Sequence, residues 1–352
     1  MLLARQLICS LVGFAAVLST APHAAAQVSF KDKTVTMFIG SEPGGGTDAT
    51  GRVIAPFLKK YLPGEPNIVT QNIPGANGIA SLNSFLRRAQ TDGLSVIMSS
   101  NLAVDPLVYR NSVAQFDPKS FRFFGGVSRG GTIIFIAPKA ATRLYDRSAP
   151  PVVIGSVVGM PRVDIQPAIW CTRYLGWNTK WISGYHGTNE VMLAFDRGEV
   201  DMASTGNIFQ IQQRLKSDHL KIINQSGSFE NGKIVERSEF GDAPLFLDQL
   251  KGKVTDQIAM KGLDYWTALS NLDKWIGLPP ETPDDIVATY RTAFARISAD
   301  KEFVERGEKI SDGFVPIAGA DVQNIVRTLG DTPQAAIEYI KTMMRAQGLR
   351  MQ

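Results

Sequence analysis

Two short glycine loops, each entered from a strand-like run, constrain this chain more than any other feature. The first, Pro43-Gly44-Gly45-Gly46-Thr47-Asp48, follows Val35-Thr36-Met37-Phe38-Ile39. The second, Pro74-Gly75-Ala76-Asn77-Gly78, follows Ile68-Val69-Thr70-Gln71-Asn72. Glycine lets the main chain approach a ligand closely, and the unpaired amides of a helix's first turn carry partial positive charge that favours an anion. Two such cradles on neighbouring strands suit a carboxylate.

The surrounding pattern is α/β. Strands are expected at 34–39, 67–72 and 94–98, with helices at about 47–61 and 77–90 between them, which gives a largely parallel sheet. Val53, Ile54, Phe57, Leu58 and Tyr61 form the apolar stripe of the first helix, although Pro56 removes one of its backbone bonds. In such sheets ligands bind beyond the carboxyl ends of the strands, where both loops lie. A second alternating block has strands near 132–137, 152–155, 179–183, 200–204 and 220–224. Its helix near 188–197 is expected to start with Thr188 as N-cap and stop before Gly198. Beyond about residue 225 the pattern turns helical. Thr282-Pro283-Asp284-Asp285 and Thr332-Pro333 each read as an N-cap with proline at the first helical position. A tail that returns to the first block makes that lobe discontinuous, with crossovers near 127–131 and 223–228 acting as a hinge.

Residues 1–26 read as a secretory leader: Arg5, an apolar run from Leu7 to Leu18, and cleavage after Ala24-Ala25-Ala26. The run is too short to span a hydrocarbon core of about 30 Å. Cys9 lies within it, so a mature chain retains only Cys171 and forms no internal disulfide. Stability must come from core burial, and the length suits two lobes. The formal net charge of +4, lowered by one if Arg5 leaves with the leader, is weak for 352 residues. Basic residues do not run together with aromatics, so nucleic acid is not an expected partner.

Enzymatic readings find few residues to use. Gly44-Gly45-Gly46-Thr47-Asp48-Ala49 fits the dinucleotide pattern Gly-x-Gly-x-x-Ala, but the second strand ends in Gln71-Asn72 where an acidic residue is required for the ribose. No Gly-Lys-Ser/Thr follows the loop, and no Gly-x-Ser-x-Gly elbow occurs. His186 and His219, the histidines beyond the leader, belong to no metal-ligand spacing. Cys171, in Ala168-Ile169-Trp170-Cys171, reads as an inert core residue. No catalytic residue, metal or cofactor is expected.

The motifs resemble those of the substrate-binding proteins of tripartite tricarboxylate transporters, the Bug-type periplasmic receptors. Pro43-Gly44-Gly45-Gly46-Thr47-Asp48 with Arg52 is similar to the family's Pro-Gly-Gly-x-x-Asp-x-x-x-Arg, and Gln71 to Gly78 is similar to its Glu-Asn-x-Pro-Gly-Ala-x-Gly. Ser99-Ser100-Asn101 follows the third strand at the matching place. Gly184-Tyr185-His186-Gly187-Thr188, Gly198-Glu199-Val200-Asp201-Met202 and Gly277 to Pro283 resemble further family segments, so the likeness runs over the whole chain beyond the leader.

The resemblance implies a type II-like, two-lobed Venus-flytrap fold, each lobe a mixed, mostly parallel sheet flanked by helices. Lobe 1 would comprise 27–128 plus 226–352, and lobe 2 would comprise 129–225. It further implies a monomeric, non-enzymatic periplasmic receptor that passes a small organic acid, aliphatic or aromatic, to the membrane subunits of a transporter. A sensor that signals to a kinase would bind the ligand identically. The implied contacts are Pro43, Gly44, Gly45, Gly46, Thr47 and Asp48; Pro74, Gly75, Ala76 and Asn77; Ser100 and Asn101; and, in lobe 2, Ser156, Gly184, Tyr185, His186, Gly187 and Thr188.

Asp48 beside an anion site has two readings: it orients its loop by capping amides or pairing with Arg52, or it takes a ligand hydroxyl, amine or bridging water. Tyr185 either meets the ligand or packs. His186 stands where many relatives carry a lysine or arginine. If its ring meets an anion, affinity rises on acidification. Arg162, beyond the partly matching Gly155-Ser156-Val157-Val158-Gly159, either replaces that cation or caps a helix surface.

Overall fold

The computed structural model describes residues 28–110, 113–157, 164–230, 233–310 and 313–349. The secretory leader expected at 1–26 lies outside them. The chain begins β1 (Thr34–Ile39), α1 (Gly46–Tyr61), β2 (Asn67–Asn72), α2 (Ile79–Arg88), β3 (Ser95–Ser100), α3 (Pro106–Tyr109) and β4 (Arg122–Arg129). It continues through β5 (Ile133–Ile136), β6 (Val152–Val157), α4 (Gln166–Tyr174), β7 (Thr179–Tyr185), α5 (Thr188–Asp196), β8 (Met202–Thr205), α6 (Ile208–Lys216) and β9 (Lys221–Gln225). A hairpin, β10 (Ser228–Glu230) and β11 (Lys233–Val235), precedes α7 (Phe246–Leu250) and α8 (Gln257–Ser270). The last part comprises β12 (Lys274–Leu278), α9 (Asp284–Ser298), α10 (Lys301–Glu308), β13 (Phe314–Ala318), α11 (Gly319–Gly330) and α12 (Gln334–Ala346).

The strands form two main mixed sheets, one ordered β13-β4-β12-β3-β1-β2 and the other β7-β6-β8-β5-β9. The expected parallel arrangement holds for β3-β1-β2 and for β8-β6-β7. Elsewhere it does not: β12 runs against both β3 and β4, β13 against β4, and β5 against β8 and β9. Two of the reversed strands stand at the crossings between the sheets: β5 is the first strand after the chain leaves the first sheet, and β12 is the first of that sheet after it comes back.

Apolar alternation drives both sheets. Val35, Met37 and Ile39 of β1 are fully buried with Ile54, Leu58, Tyr290 and Phe294 on one side, while Phe38 faces the opposite layer with Phe85 and Ile97. At about 25 cal/mol per Å² of apolar area, such burial is the main stabilising contribution. One apolar cluster spans both sheets. Phe38, Phe123 and Trp275 of the first and Ile134, Ile154 and Met202 of the second join through Trp170, Trp266, Ile340 and Met344. Polar bonds stitch the same seam, with Gln347 donating to the Ile169 carbonyl at 2.8 Å and Trp181 Nε1 donating to Gln347 Oε1 at 3.2 Å. Cys171 is fully buried there, and burial pushes its thiol pKa up.

Three expected caps shift by one residue. Gly187 rather than Thr188 is the N-cap of α5, and Pro283 and Pro333 are the N-caps of α9 and α12. Thr282 instead turns its hydroxyl back to the Pro279 carbonyl at 2.8 Å, closing the loop ahead of the helix.

Candidate ligand-binding site

Parallel pairing of β1 with both β2 and β3 brings the three following loops to one edge of the first sheet. Ser100 closes β3 and Asn101 starts the turn after it, its amide donating to the Asp273 carbonyl at 3.0 Å. The loops also touch directly. A Cβ on Gly78 would lie 2.8 Å from Ser99 Oγ and 3.8 Å from the Gly40 carbonyl, so the second loop rests on the ends of β1 and β3. Pro43 to Asp48, Pro74 to Asn77, Ser100 and Asn101 thus form one group.

Asp48 organises the first loop. Its carboxylate is 2 % exposed and accepts from the Gly44 amide at 2.9 Å, from Asn72 Nδ2 at 2.9 Å, and from Arg52 Nε at 2.9 and 3.0 Å. Asn72 Nδ2 also reaches the Ser41 carbonyl at 3.0 Å, which ties the loop to the end of β2. Burial acts to raise the Asp48 pKa, but the bonds from Arg52, Gly44 and Asn72 outweigh it and hold the group below its ordinary value. Of the two readings of Asp48, this geometry is the loop-orienting one.

Not every glycine amide is available. Gly44 is bonded to Asp48, Gly45 to the Glu42 carbonyl and Gly78 to the Gly75 carbonyl. Among the described residues, no protein acceptor takes the amides of Gly46, Thr47 and Asp48, the unpaired first-turn donors of α1. The second loop differs from the expected helix start at 77. Gly75, Ala76, Asn77 and Gly78 all have positive φ, at 125°, 46°, 55° and 93°, and α2 begins only at Ile79. This path leaves Pro74 to Asn77 exposed, just beyond Asn72, whose side chain is bonded to Asp48 in the first turn of α1.

The lobe-2 residues form a second group at the carboxyl edge of β6-β8. Ser156, Asp164, Thr188 and Ser204, with Ile165 and Val191, line a small cup of about 20 Å³. Gly184 to Gly187 continue from β7 to α5, where Gly184 has φ of 136° and His186 is exposed. The His186 amide, not its ring, is engaged, donating to Glu190 Oε2 at 2.9 Å. Burial and the charge of Glu199 raise the Tyr185 pKa. Arg162, Val158 and Gly159 lie outside the described residues. No hydrogen bond among the described residues joins the lobe-2 group to the lobe-1 group.

Sequence reading missed Asp164 and Ser204, which come from the turn ahead of α4 and the end of β8 and meet Ser156 only through the fold. It also missed Ser81, and it took Ser99 only as part of the segment after the third strand; both hydroxyls are fully buried under the lobe-1 loops with no protein partner among the described residues. Asp201, in the Gly-Glu-Val-Asp-Met segment, has a structural task at the other edge, accepting from the Val153 amide at 3.0 Å and pairing with Arg143 at 2.9 Å.

Comparison with solved structures matches this architecture. A TctC solute-binding protein from Polaromonas superimposes with a TM-score of 0.65 at 14% identity, over 89% of this chain and 98% of that one. The fold is that of a two-lobed periplasmic binding protein. BugD matches at a TM-score of 0.53 and 20% identity, over 91% of this chain and 99% of its own. The R. palustris protein Rpa4515 with adipate matches at 0.54 and 16%, over 91% and 98%. No family model and no curated protein matches the sequence.

Proposed function

We propose that this chain is a periplasmic solute receptor of the Bug type that captures a small organic carboxylate between two lobes and delivers it to the membrane subunits of a tripartite tricarboxylate-type transporter. The observation that carries the reading is the side-by-side placement of the unpaired α1 amides and the exposed left-handed loop after β2, in a fold shared with such receptors. A carboxylate leaving water needs several hydrogen bonds, and main-chain amides at a helix start provide them without a competing cation. Adipate in one fold relative supports the ligand class.

In this reading the lobes are 27–128 plus 226–352 and 129–225. Membership of the two sheets supports the division, while Phe240 and Ala243 pack in the core of the second lobe and carry its boundary somewhat further along the chain. The receptor acts as a monomer, performs no chemistry and needs no cofactor. Gly46 gives the direct test, because a Cβ there meets nothing within 4 Å and the helix start is preserved. Gly46→Val is expected to keep the melting temperature of the parent protein and to lose the ligand-induced rise seen with the best of a panel of mono-, di- and tricarboxylates and aromatic acids. If no acid in the panel raises the melting temperature, or if the variant responds like the parent, the reading fails.

A further inference from the structure

The crossing from the first sheet to the second is made of glycine. Gly130 and Gly131 join β4 to β5, and Gly131 has a φ of 72°. A Cβ on Gly131 would stand 2.4 Å from the Gly227 carbonyl oxygen, on the chain returning from β9, so the two connections lie against each other. Phe314 of β13 pairs with Arg129 of β4, and the next step of that ladder sets Gly313 beside Gly130, where a Cβ on Gly313 would be 2.7 Å from the Gly130 Cα. Glycine leaves free the backbone torsions that a rotation of one lobe on the other would use.

One side chain bridges this crossing. Arg237 is 9 % exposed, and a Cβ on Gly130 or on Gly313 would lie 2.9 Å from its Nη1, so the guanidinium occupies the space that only glycine leaves there. Nη1 donates to the Gly130 carbonyl, Nη2 donates to Glu239 Oε1 at 2.9 Å, and the guanidinium carbon lies 4.8 Å from the centre of the Phe240 ring. The Arg237 amide donates to Gln225 Oε1 at 2.7 Å, and Gln225 Nε2 donates to the Ala243 carbonyl at 2.7 Å. Phe240 and Ala243 pack in the core of the second lobe, so Gln225, Glu239 and Phe240 fix Arg237 to that lobe while its bond to Gly130 reaches the first.

The Gly130 carbonyl stands at the glycine torsions themselves, so a turn of the lobes swings it while the guanidinium stays with the second lobe. A charge-assisted bond is strong and depends on direction. It therefore favours the angle described here, at which no hydrogen bond among the described residues joins the two groups of site residues. We infer that Arg237 is the pin of the hinge: its bond to Gly130 holds the lobes apart, and closure breaks that bond. The inference depends on the two-lobed fold and not on the nature of the solute.

A distance across the cleft tests it. Gln71 and Ser183 are exposed near the carboxyl ends of β2 and β7, the strands farthest from β4 and β5 in their sheets, so closure brings them together. Spin labels on Gln71→Cys and Ser183→Cys report the separation by pulsed dipolar electron spin resonance with no solute added, and Cys171 is too buried to take a label. Arg237→Ala should broaden the distribution and shorten its mean by about 2 Å or more. Glu239→Gln, at a half-exposed side chain, frees one arm of the guanidinium and should move the distribution the same way by less, and it decides the question if Arg237→Ala does not fold. Arg214→Ala removes an ion pair to Asp196 that lies wholly within the second lobe and should leave the parental distribution. Unchanged or longer distances in the Arg237 and Glu239 variants, or an equal shift in Arg214→Ala, overturn the inference.

Discussion

The carboxyl edges of the two sheets share a plan, parallel strands feeding helices, yet they treat the helix start differently. At the first, the one buried acid of the loop, Asp48, is neutralised by Arg52 and saturated by Gly44 and Asn72, so the neighbouring α1 amides are left to face outward. At the second, Glu190 is already bonded to the His186 amide at the start of α5, and the hydroxyls of Ser156, Thr188 and Ser204 line the cup beside it. An edge made for an anion needs its own carboxylates cancelled.

The largest effect that could sharpen this contrast lies beneath the first edge. Asp105, after the third loop, is a fully buried carboxylate with no cation paired to it among the described residues; it accepts from the Leu107 amide at 2.8 Å and from the Tyr265 hydroxyl at 2.9 Å. Burial raises its pKa from 3.8 to about 6 despite both bonds. The folded state therefore binds the proton more tightly than the unfolded chain. Stability from this group is full below pH 3.8 and is lost as the pH rises through about 6. Asp105→Asn is expected to raise the unfolding free energy at pH 8 by up to about 3 kcal/mol and to change it little at pH 3.5, measured by urea denaturation. An equal gain at both pH values would mean that charge is not the cause.

A smaller effect is expected at Asp48. Asp48→Ala strands the Gly44 amide and the Asn72 side chain, costs about 2 kcal/mol of stability, and disorders the cradle so that acid binding weakens far more than folding does. Because its pKa is lowered, the contribution of Asp48 is present at neutral pH and disappears as the pH falls below the ordinary carboxylate range. Normal titration of the variant with the best acid would break the comparison at its first edge. The smallest effect belongs to the second. His186→Gln should change affinity by less than about threefold at any pH between 5 and 8, since its amide rather than its ring is tied to Glu190. A strong pH-dependent loss would return the imidazole to the contact list.

Much of this was legible in the sequence because the determinants are local. Runs such as Val35 to Ile39 and Ile68 to Asn72 announce strands through β-branched and apolar residues, and β1 and β2 fall on the expected bounds. The glycine loops were legible because only certain backbones need that much freedom. Register was less so. Thr188 looks like an N-cap by type, but β7 runs on to Tyr185 rather than ending at 183, and Thr188 is already helical, so Gly187 takes the cap position. Asp164 and Ser204 gave no local sign, being forty residues apart and joined by one hydrogen bond between the Ser204 hydroxyl and the Asp164 carbonyl. Nothing in the amphipathic pattern of α12 says that its apolar face meets Trp170 of α4, the helix beside the other sheet.

That shared core, with Trp170, Trp266 and Ile340 at its centre, has a consequence for how the molecule comes apart. Each half has an apolar cluster of its own, but this third one belongs to both: peeling one half away exposes indole and aliphatic surface on the other. Denaturation should therefore take both halves together, and a solute that grips only the rim would protect the whole.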